Sequence, residues 1–411
     1  MPKTTYAIVG ANLAGGRAAL ALRDEGFDGN IVLIGTEPHP PYERPPLSKE
    51  LLAGVRSVES TYLHPIDHYA DQNIELRLGT TVSRLLPRWS GVEFADGSTL
   101  IADRILLTTG SRLRRLPVAG AGLEGVHYLR TLDDALAIRE RLHEQPRITI
   151  IGAGFIGAEF ASSAISAGCS VTMLEAAEVP LGRALGHDIG QFYAAVHRSC
   201  GVDLRTGTAV AEIRGEHGHV RKVIAVDGTA FDTDLVVIGV GTIAASELAD
   251  DAGIETDHGI VVDAYCRTSA PNVFAAGEVA RHPNPWLASR VRLEHFQTAQ
   301  NQALTAARSM LGRTARYEEV PWFWSDQYHL NLQLAGHPKA SDTRLLRGDM
   351  SDSSFSVIYL RDGRISCIVA VNRPRDVRAA MKLIEQGRVV NPAELTDETI
   401  DLRRLAASAG R

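Results

Sequence analysis

Ile148-Thr149-Ile150-Ile151-Gly152-Ala153-Gly154-Phe155-Ile156-Gly157 reads as a short apolar strand, a glycine turn and the start of a helix. The same reading applies near the N-terminus, at Tyr6-Ala7-Ile8-Val9-Gly10-Ala11-Asn12-Leu13-Ala14-Gly15. A glycine turn of this kind lets the backbone approach a pyrophosphate, whose charge then meets the positive end of the helix. Each copy is followed by a second apolar strand, at 31–34 and 171–174, and then by a carboxylate, Glu37 or Glu175, placed to accept from ribose hydroxyls. One copy fits many strand–turn–helix units. Two copies argue for two dinucleotides in one chain, and for electrons moving between them.

The 411 residues leave room for two or three domains, and 45% apolar with 22% charged residues is ordinary globular composition. A net charge of −6 gives no reason to expect a nucleic-acid partner. No apolar run reaches the roughly 18–20 residues of a membrane helix. The chain enters its first strand by Tyr6 without a signal sequence, so a cytoplasmic location is expected, with no membrane partner. Cys169, Cys200, Cys266 and Cys367 are scattered without metal or CxxC spacing and read as reduced thiols, with no metal site expected. Residues 38–54 contain no cysteine, which argues against thiol–disulfide exchange beside the first nucleotide. Electrons must then leave without a sulfur relay.

The expected fold is α/β, with two Rossmann-like nucleotide-binding domains and a C-terminal α+β domain. The first nucleotide domain is expected over 1–112 and again over 238–319, the second over 113–237, and the C-terminal domain over 320–411. A strand at 105–110 ends in a small-residue turn, the strand at 235–239 marks the return crossing, and a helix is expected over 296–311. Beyond about 320 the aromatics Trp322, Phe323, Trp324 and Tyr328 cluster, followed by strand-like segments at 355–360 and 367–371.

Three further strings narrow the reading: Pro41-Tyr42-Glu43-Arg44-Pro45-Pro46-Leu47-Ser48-Lys49, Pro321-Trp322-Phe323-Trp324-Ser325-Asp326-Gln327, and the ending Asp401-Leu402-Arg403-Arg404-Leu405-Ala406-Ala407. With them the chain resembles, over nearly its whole length, the FAD-dependent, NADH-oxidising ferredoxin reductases of bacterial oxygenase systems, which share the glutathione-reductase-like flavoprotein fold. The resemblance implies FAD on the first turn, NADH on the second, and single electrons passed to a [2Fe-2S] ferredoxin that serves a cytochrome P450 or a Rieske-type oxygenase.

By that resemblance Gly10, Asn12, Leu13, Ala14, Gly15, Glu37, Val82, Thr109, Gly110 and Arg112 lie on FAD, with Arg44 on its phosphates. The turn Gly277-Glu278 meets the ribityl chain, and Glu294-His295-Phe296 opens a helix whose amides face the pyrimidine end of the flavin. Lys49 approaches the flavin N5 side, paired with Glu159 where hydride crosses. Gly152, Gly154, Phe155, Ile156, Gly157 and Glu175 hold NADH. A carboxylate at Glu175 favours NADH over its 2′-phosphorylated form, while Arg183 reaches adenine or a phosphate. Gly239 and Gly241 flank the nicotinamide, and Trp322 lies against the flavin on the ferredoxin side. Plainer readings stand beside these. Lys49 and Glu159 also read as solvated charges, Gly239 and Gly241 as a strand exit, His295 as a packing residue, and Trp322 with Trp324 as core aromatics of a half-buried strand.

Two residues depart from the pattern. Asn12 replaces the middle glycine; asparagine tolerates left-handed backbone, but its side chain crowds a pyrophosphate. Glu278 stands where the superfamily has aspartate, keeping the acceptor with a longer reach. Arg290, Arg292, Arg308, Arg313 and Arg316 read either as a landing patch for an acidic ferredoxin or as solvated charges. Two other functions fit the same motifs. One is a reductase of rubredoxin, monodehydroascorbate, quinone or oxygen; the other is an NADH-sensing interaction protein similar to apoptosis-inducing factor.

Overall fold

The computed structural model describes residues 3–407. Thr5–Val9 is the centre of a five-stranded sheet ordered Val273–Ala275, Arg104–Leu107, Thr5–Val9, Asn30–Ile34, Ile74–Arg77, and every neighbouring pair is parallel. Arg147–Ile151 is the centre of a second parallel sheet ordered Asp203–Arg205, Ser170–Leu174, Arg147–Ile151, Leu235–Ile238, Val126–Tyr128. Their strands bury residues on both faces, as in Ala7, Ile8, Leu33, Leu106, Ile150 and Val236, because helices cover one side of each sheet and a three-stranded antiparallel sheet (Val82–Leu85, Gly91–Phe94, Thr99–Ile101 under the first; Val210–Glu216, His219–Ala225, Ala230–Asp232 under the second) covers the other. The continuous apolar runs of the sequence are the signature of that burial.

The helix Leu13–Asp24 follows the first glycine turn and packs against Phe296–Met310, with Ala18, Leu22, Ala303 and Ala307 among the buried residues. Phe155–Ser166 follows the second turn and buries Ala158, Phe160, Ala161 and Ala164. Leu235–Ile238 lies inside the second sheet, so the chain makes its return just after it. Thr242–Ala244, coming back, pairs antiparallel with Ser111–Leu113, going out.

The C-terminal unit is an antiparallel sheet ordered Trp322–Gln327, Leu330–Gly336, Arg364–Val371, Ser354–Arg361, Thr343–Asp349. Helix Pro374–Gln386 covers one face through Val377, Ala380, Leu383 and Ile384. The other face, through Leu330, Leu332, Phe355 and Val369, packs on Leu181, Ile189 and Tyr193 of the second nucleotide domain. This face holds Trp322–Gln327 beside helix Phe155–Ser166. Among the described residues no helix is long and apolar enough to cross a membrane.

Candidate active site between two glycine turns

Gly10 has φ +119° and Gly152 φ +100°, and a Cβ would fall 2.3 Å from the Thr108 carbonyl oxygen at the first and 2.5 Å from that of Gly239 at the second. Gly15 and Gly157, in the first helical turn, allow no Cβ either, since it would lie 2.0 Å and 2.1 Å from the Gly10 and Gly152 oxygens. The middle position obeys a different constraint. Asn12 (φ −116°, ψ −167°) and Gly154 (φ −77°, ψ −175°) are both extended. The left-handed tolerance of asparagine is therefore irrelevant at Asn12: the backbone there suits any residue. A Cβ on Gly154 would meet nothing within 4 Å, so its glycine leaves space for a ligand. Asn12 instead caps its helix. Its Oδ1 accepts from the N–H of Ala14 (3.1 Å) and Gly15 (3.2 Å), and its Nδ2 donates to the Thr108 carbonyl.

A cavity of about 690 Å³ opens beside the second turn, walled by Gly152, Gly154, Phe155, Ile156, Glu175, Arg183, Gly239 and Gly241. The Glu175 carboxylate is fixed from two sides, accepting from the N–H of Ala153 (2.7 Å) and Ala177 (2.8 Å). Arg183 is exposed on the same wall. A second cavity of about 210 Å³ is walled by Asn12, Leu13, Ala14, Lys49, Gly110, Glu159, Glu278, His295, Phe296 and Trp324. Arg44, Ser48, Arg130, Phe155, Ile156 and Glu294 line both, so the two spaces adjoin. An open glycine cradle at one turn, a capped helix start at the other and two arginines between them fit a pair of phosphate-bearing ligands.

The wall of the second cavity carries the chemistry. Lys49 Nζ lies 3.3 Å from Glu159 Oε1, with side chains only 12% and 6% exposed, and 3.7 Å from Asp326 Oδ2. The solvated reading of this pair is thereby excluded. Ser48 Oγ donates to Glu159 Oε2 (2.5 Å) and Ser325 Oγ to Oε1 (2.7 Å). Burial raises the Glu159 carboxyl above its ordinary range, against the opposing pull of Lys49, Ser48 and Ser325. Lys49 also sits 5.8 Å from the Trp324 ring, and Trp324 meets Phe296 edge-on. Burial pushes His295 down to about 4, so it is neutral at physiological pH; it packs 5.4 Å from Phe323 as a wall residue.

Several residues expected on the ligands line neither cavity. Thr109 donates to the Ala245 carbonyl (2.6 Å), anchoring the return crossing. Arg112 is exposed and pairs with Glu247. Trp322 donates from Nε1 to Gln333 (3.2 Å) and packs with the C-terminal core; it is Trp324, stacked on it at 5.2 Å, that reaches the cavity. Val82 is a strand residue spent in the core under the first sheet. Glu37 accepts from the Tyr42 hydroxyl (2.5 Å) and from Arg44 (2.8 Å), which ties the proline-rich loop to the first sheet. Gly277 is a turn residue (φ +80°) whose N–H donates to Gln302. Of the five arginines read as a landing patch, Arg308 and Arg313 pair with Glu25, Arg316 with Glu318 and Arg292 with Glu294, while Arg290 donates to the Val262 carbonyl. Four of the five thus share three carboxylates, while Arg290 is hydrogen-bonded to a neutral carbonyl.

Sequence reasoning missed Arg130, Ser48 and Ser325. Arg130 lines both cavities and pairs with Glu278 (2.5 Å), whose longer side chain makes that reach. A signal was present: Arg130 directly precedes the capping box in which Thr131 and Asp134 exchange hydrogen bonds. None of the four cysteines lines either cavity, and Cys169, Cys266 and Cys367 are buried, their thiols pushed up by that burial.

Residues 4–303 match the family described as pyridine nucleotide-disulphide oxidoreductase, and residues 322–406 match the reductase C-terminal family. Putidaredoxin reductase of Pseudomonas putida is 40% identical over 98% of this chain and 96% of its own length. Rhodocoxin reductase of Rhodococcus erythropolis is 39% identical over 96% of this chain and 93% of its own. Among solved structures, a covalent putidaredoxin reductase–putidaredoxin complex superposes with a TM-score of 0.96 at 39% identity, covering 100% of this chain and 99% of that one. The family match implies flavin and nicotinamide cofactors, which agrees with two adjoining cavities at two glycine turns. The chain belongs to the pyridine nucleotide-disulphide oxidoreductase family and carries, over residues 322–406, a domain of the reductase C-terminal family.

Proposed function

We propose that this protein is an NADH-dependent ferredoxin reductase, with FAD on the first turn and NADH on the second, serving a cytochrome P450 or a Rieske-type oxygenase through a [2Fe-2S] ferredoxin. The observation that carries the reading is the buried Lys49–Glu159 pair on the wall of the second cavity, held by Ser48, which lines both cavities, in walls without a cysteine. A bound flavin supplies the chemistry of accepting two electrons together and releasing them singly. The protein's part is to bind, orient and compensate charge. Gly154 leaves room for a pyrophosphate, Arg44 and Arg130 supply cations, and the Lys49 ammonium places a positive charge where negative charge would develop on reduction. Glu159 keeps that ammonium in place without exposing it to water. Trp324 closes the wall on the C-terminal side. Cytoplasmic residence is part of the same proposal.

Relatives of this chain work in such chains of carriers: one is the reductase component of the anthranilate 1,2-dioxygenase system of Burkholderia cepacia, 40% identical. The test is an anaerobic mixing experiment. The purified protein is expected to be yellow, to bleach with NADH, and to regain its colour faster with [2Fe-2S] ferredoxin than with rubredoxin, quinone or oxygen. Faster return with any of those three, or a polypeptide that cannot take up FAD, overturns the reading.

Specificity for NADH rests on Glu175, whose carboxylate is pinned by two backbone amides and cannot swing away from a 2′-phosphate. Glu175→Arg is expected to shift the NADH-to-NADPH ratio of kcat/KM by about a hundredfold towards NADPH. An unchanged ratio would place discrimination elsewhere on the cavity wall.

A further inference from the structure

Glu159 is held by three parts of the chain at once. It stands on the helix Phe155–Ser166 of the second nucleotide domain. Ser48 and Lys49 reach it from the proline-rich loop of the first domain, at 2.5 Å and 3.3 Å. Ser325 reaches its other oxygen from the first strand of the C-terminal sheet, at 2.7 Å. Ser325 is itself fully buried and takes a hydrogen bond from Gln327 Nε2 (3.2 Å), so its hydroxyl proton is directed at the carboxylate. Ser48 is buried too, and its carbonyl accepts from Ser163 Oγ (2.7 Å) on the helix that carries Glu159.

From this geometry we infer that Ser325, oriented by Gln327, is a positioning residue of the hydride-transfer site, acting through Glu159 on Lys49. The C-terminal domain is thus part of the site where hydride crosses, in addition to any part it plays in docking. The inference rests on the function proposed above.

The physical argument is one of competition for a buried charge. A carboxylate that is 5% exposed persists as an anion only if its oxygens are supplied with donors. One oxygen has Ser48; the other has Ser325 and Lys49. The charged groups facing it are Lys49, and beyond Lys49 the Asp326 carboxylate, which competes for the same ammonium. Without Ser325 the carboxyl takes up a proton at higher pH. Lys49 then loses its near partner and turns towards Asp326, which is half exposed at 46%. The cation leaves the cavity wall, and hydride transfer slows without any loss of nucleotide contacts.

Ser325→Ala tests this, with Ser325→Thr as the conservative variant and Ser48→Ala as a second route to the same carboxylate. On the acid limb of the pH profile flavin bleaching by saturating NADH is expected to slow by up to about tenfold in Ser325→Ala, with half-saturating NADH changed by less than about twofold. The acid limb of the pH profile is expected to move up by about one pH unit, so that the variant approaches the wild type in alkali. Ser325→Thr restores the wild-type profile. Turnover apart, infrared difference spectra taken against Glu159→Gln should show the Glu159 carboxyl protonating at higher pH in Ser325→Ala. An unmoved infrared titration, or a rate loss equal at every pH, overturns the inference. A wild-type protein that NADH cannot bleach overturns the functional reading instead, while the infrared titration still decides whether Ser325 governs Glu159.

Discussion

Replacing Lys49 by methionine is expected to lower stability by about 3 kcal/mol near pH 8 and by much less near pH 5. The pair it breaks is buried, with side chains 12% and 6% exposed, so solvent screens little of the loss. Removing the ammonium strands the Glu159 carboxylate among Ser48 and Ser325, which satisfy hydrogen bonds but supply no charge. Burial already lifts this carboxyl above its unfolded range, and losing Lys49 lifts it further. A group whose folded pKa is raised stabilises the fold below its unfolded pKa, and that contribution is lost as pH rises through the folded one. The deficit of the variant must therefore widen on going from acid to alkali. Thermal scans at pH 5 and pH 8 check the sign; an equal deficit at both would mean that Lys49 acts through packing alone. Flavin reduction by NADH is expected to slow by about a hundredfold in the same variant, on the scale of removing one electrostatic stabiliser from an enclosed site.

Gly154→Val is expected to separate binding from folding at the second turn. The residue is extended, and a Cβ there has no protein atom within 4 Å, so Tm should change by no more than a few degrees, about 1 kcal/mol for a helix start that has no side-chain cap to lose. The space it fills is the space the ligand needs. The dissociation constant for NAD⁺ should rise at least tenfold, about 1.4 kcal/mol, as followed by titration of the flavin spectrum or by calorimetry. Gly157→Ala is the contrasting control: its Cβ would fall 2.1 Å from the Gly152 oxygen, so the turn itself has to open and stability falls with binding. If Gly154→Val bound NAD⁺ as the wild type does, the pyrophosphate would not pass this turn.

The two parallel sheets were legible because their strands are apolar on both faces and end in glycines that no other residue can replace. Gly10, Gly15, Gly152 and Gly157 are dictated by backbone contacts within the turn, and such contacts leave a local trace in sequence. The middle position was misread at Asn12, since its constraint comes from the ligand side and from helix capping, neither of which shows in a residue's left-handed tolerance. Lys49 and Glu159 were named as a pair only through resemblance; nothing local links positions so far apart, and the structure puts them at 3.3 Å. Ser48, Ser325 and Arg130 stayed hidden for the same reason. A serine has no sequence signature for donating to a carboxylate on another domain. Trp322 and Trp324 share one face of a strand, so alternation could not say which of them reaches the cavity and which backs it.

The strands Ser111–Leu113 and Thr242–Ala244 run out and back side by side, so the chain joins the two nucleotide units through one narrow ribbon, while Tyr42, Leu47, Leu51 and Leu52 of the first unit pack into the core of the second. Backbone rotation at its far end, where Gly241 holds φ +93°, would leave the rungs of both parallel sheets intact but would have to slide that shared core. The hydrogen bonds clasping Glu159 lie away from that pivot. They tie Ser48 of the first unit and Ser325 of the C-terminal sheet to one helix of the second.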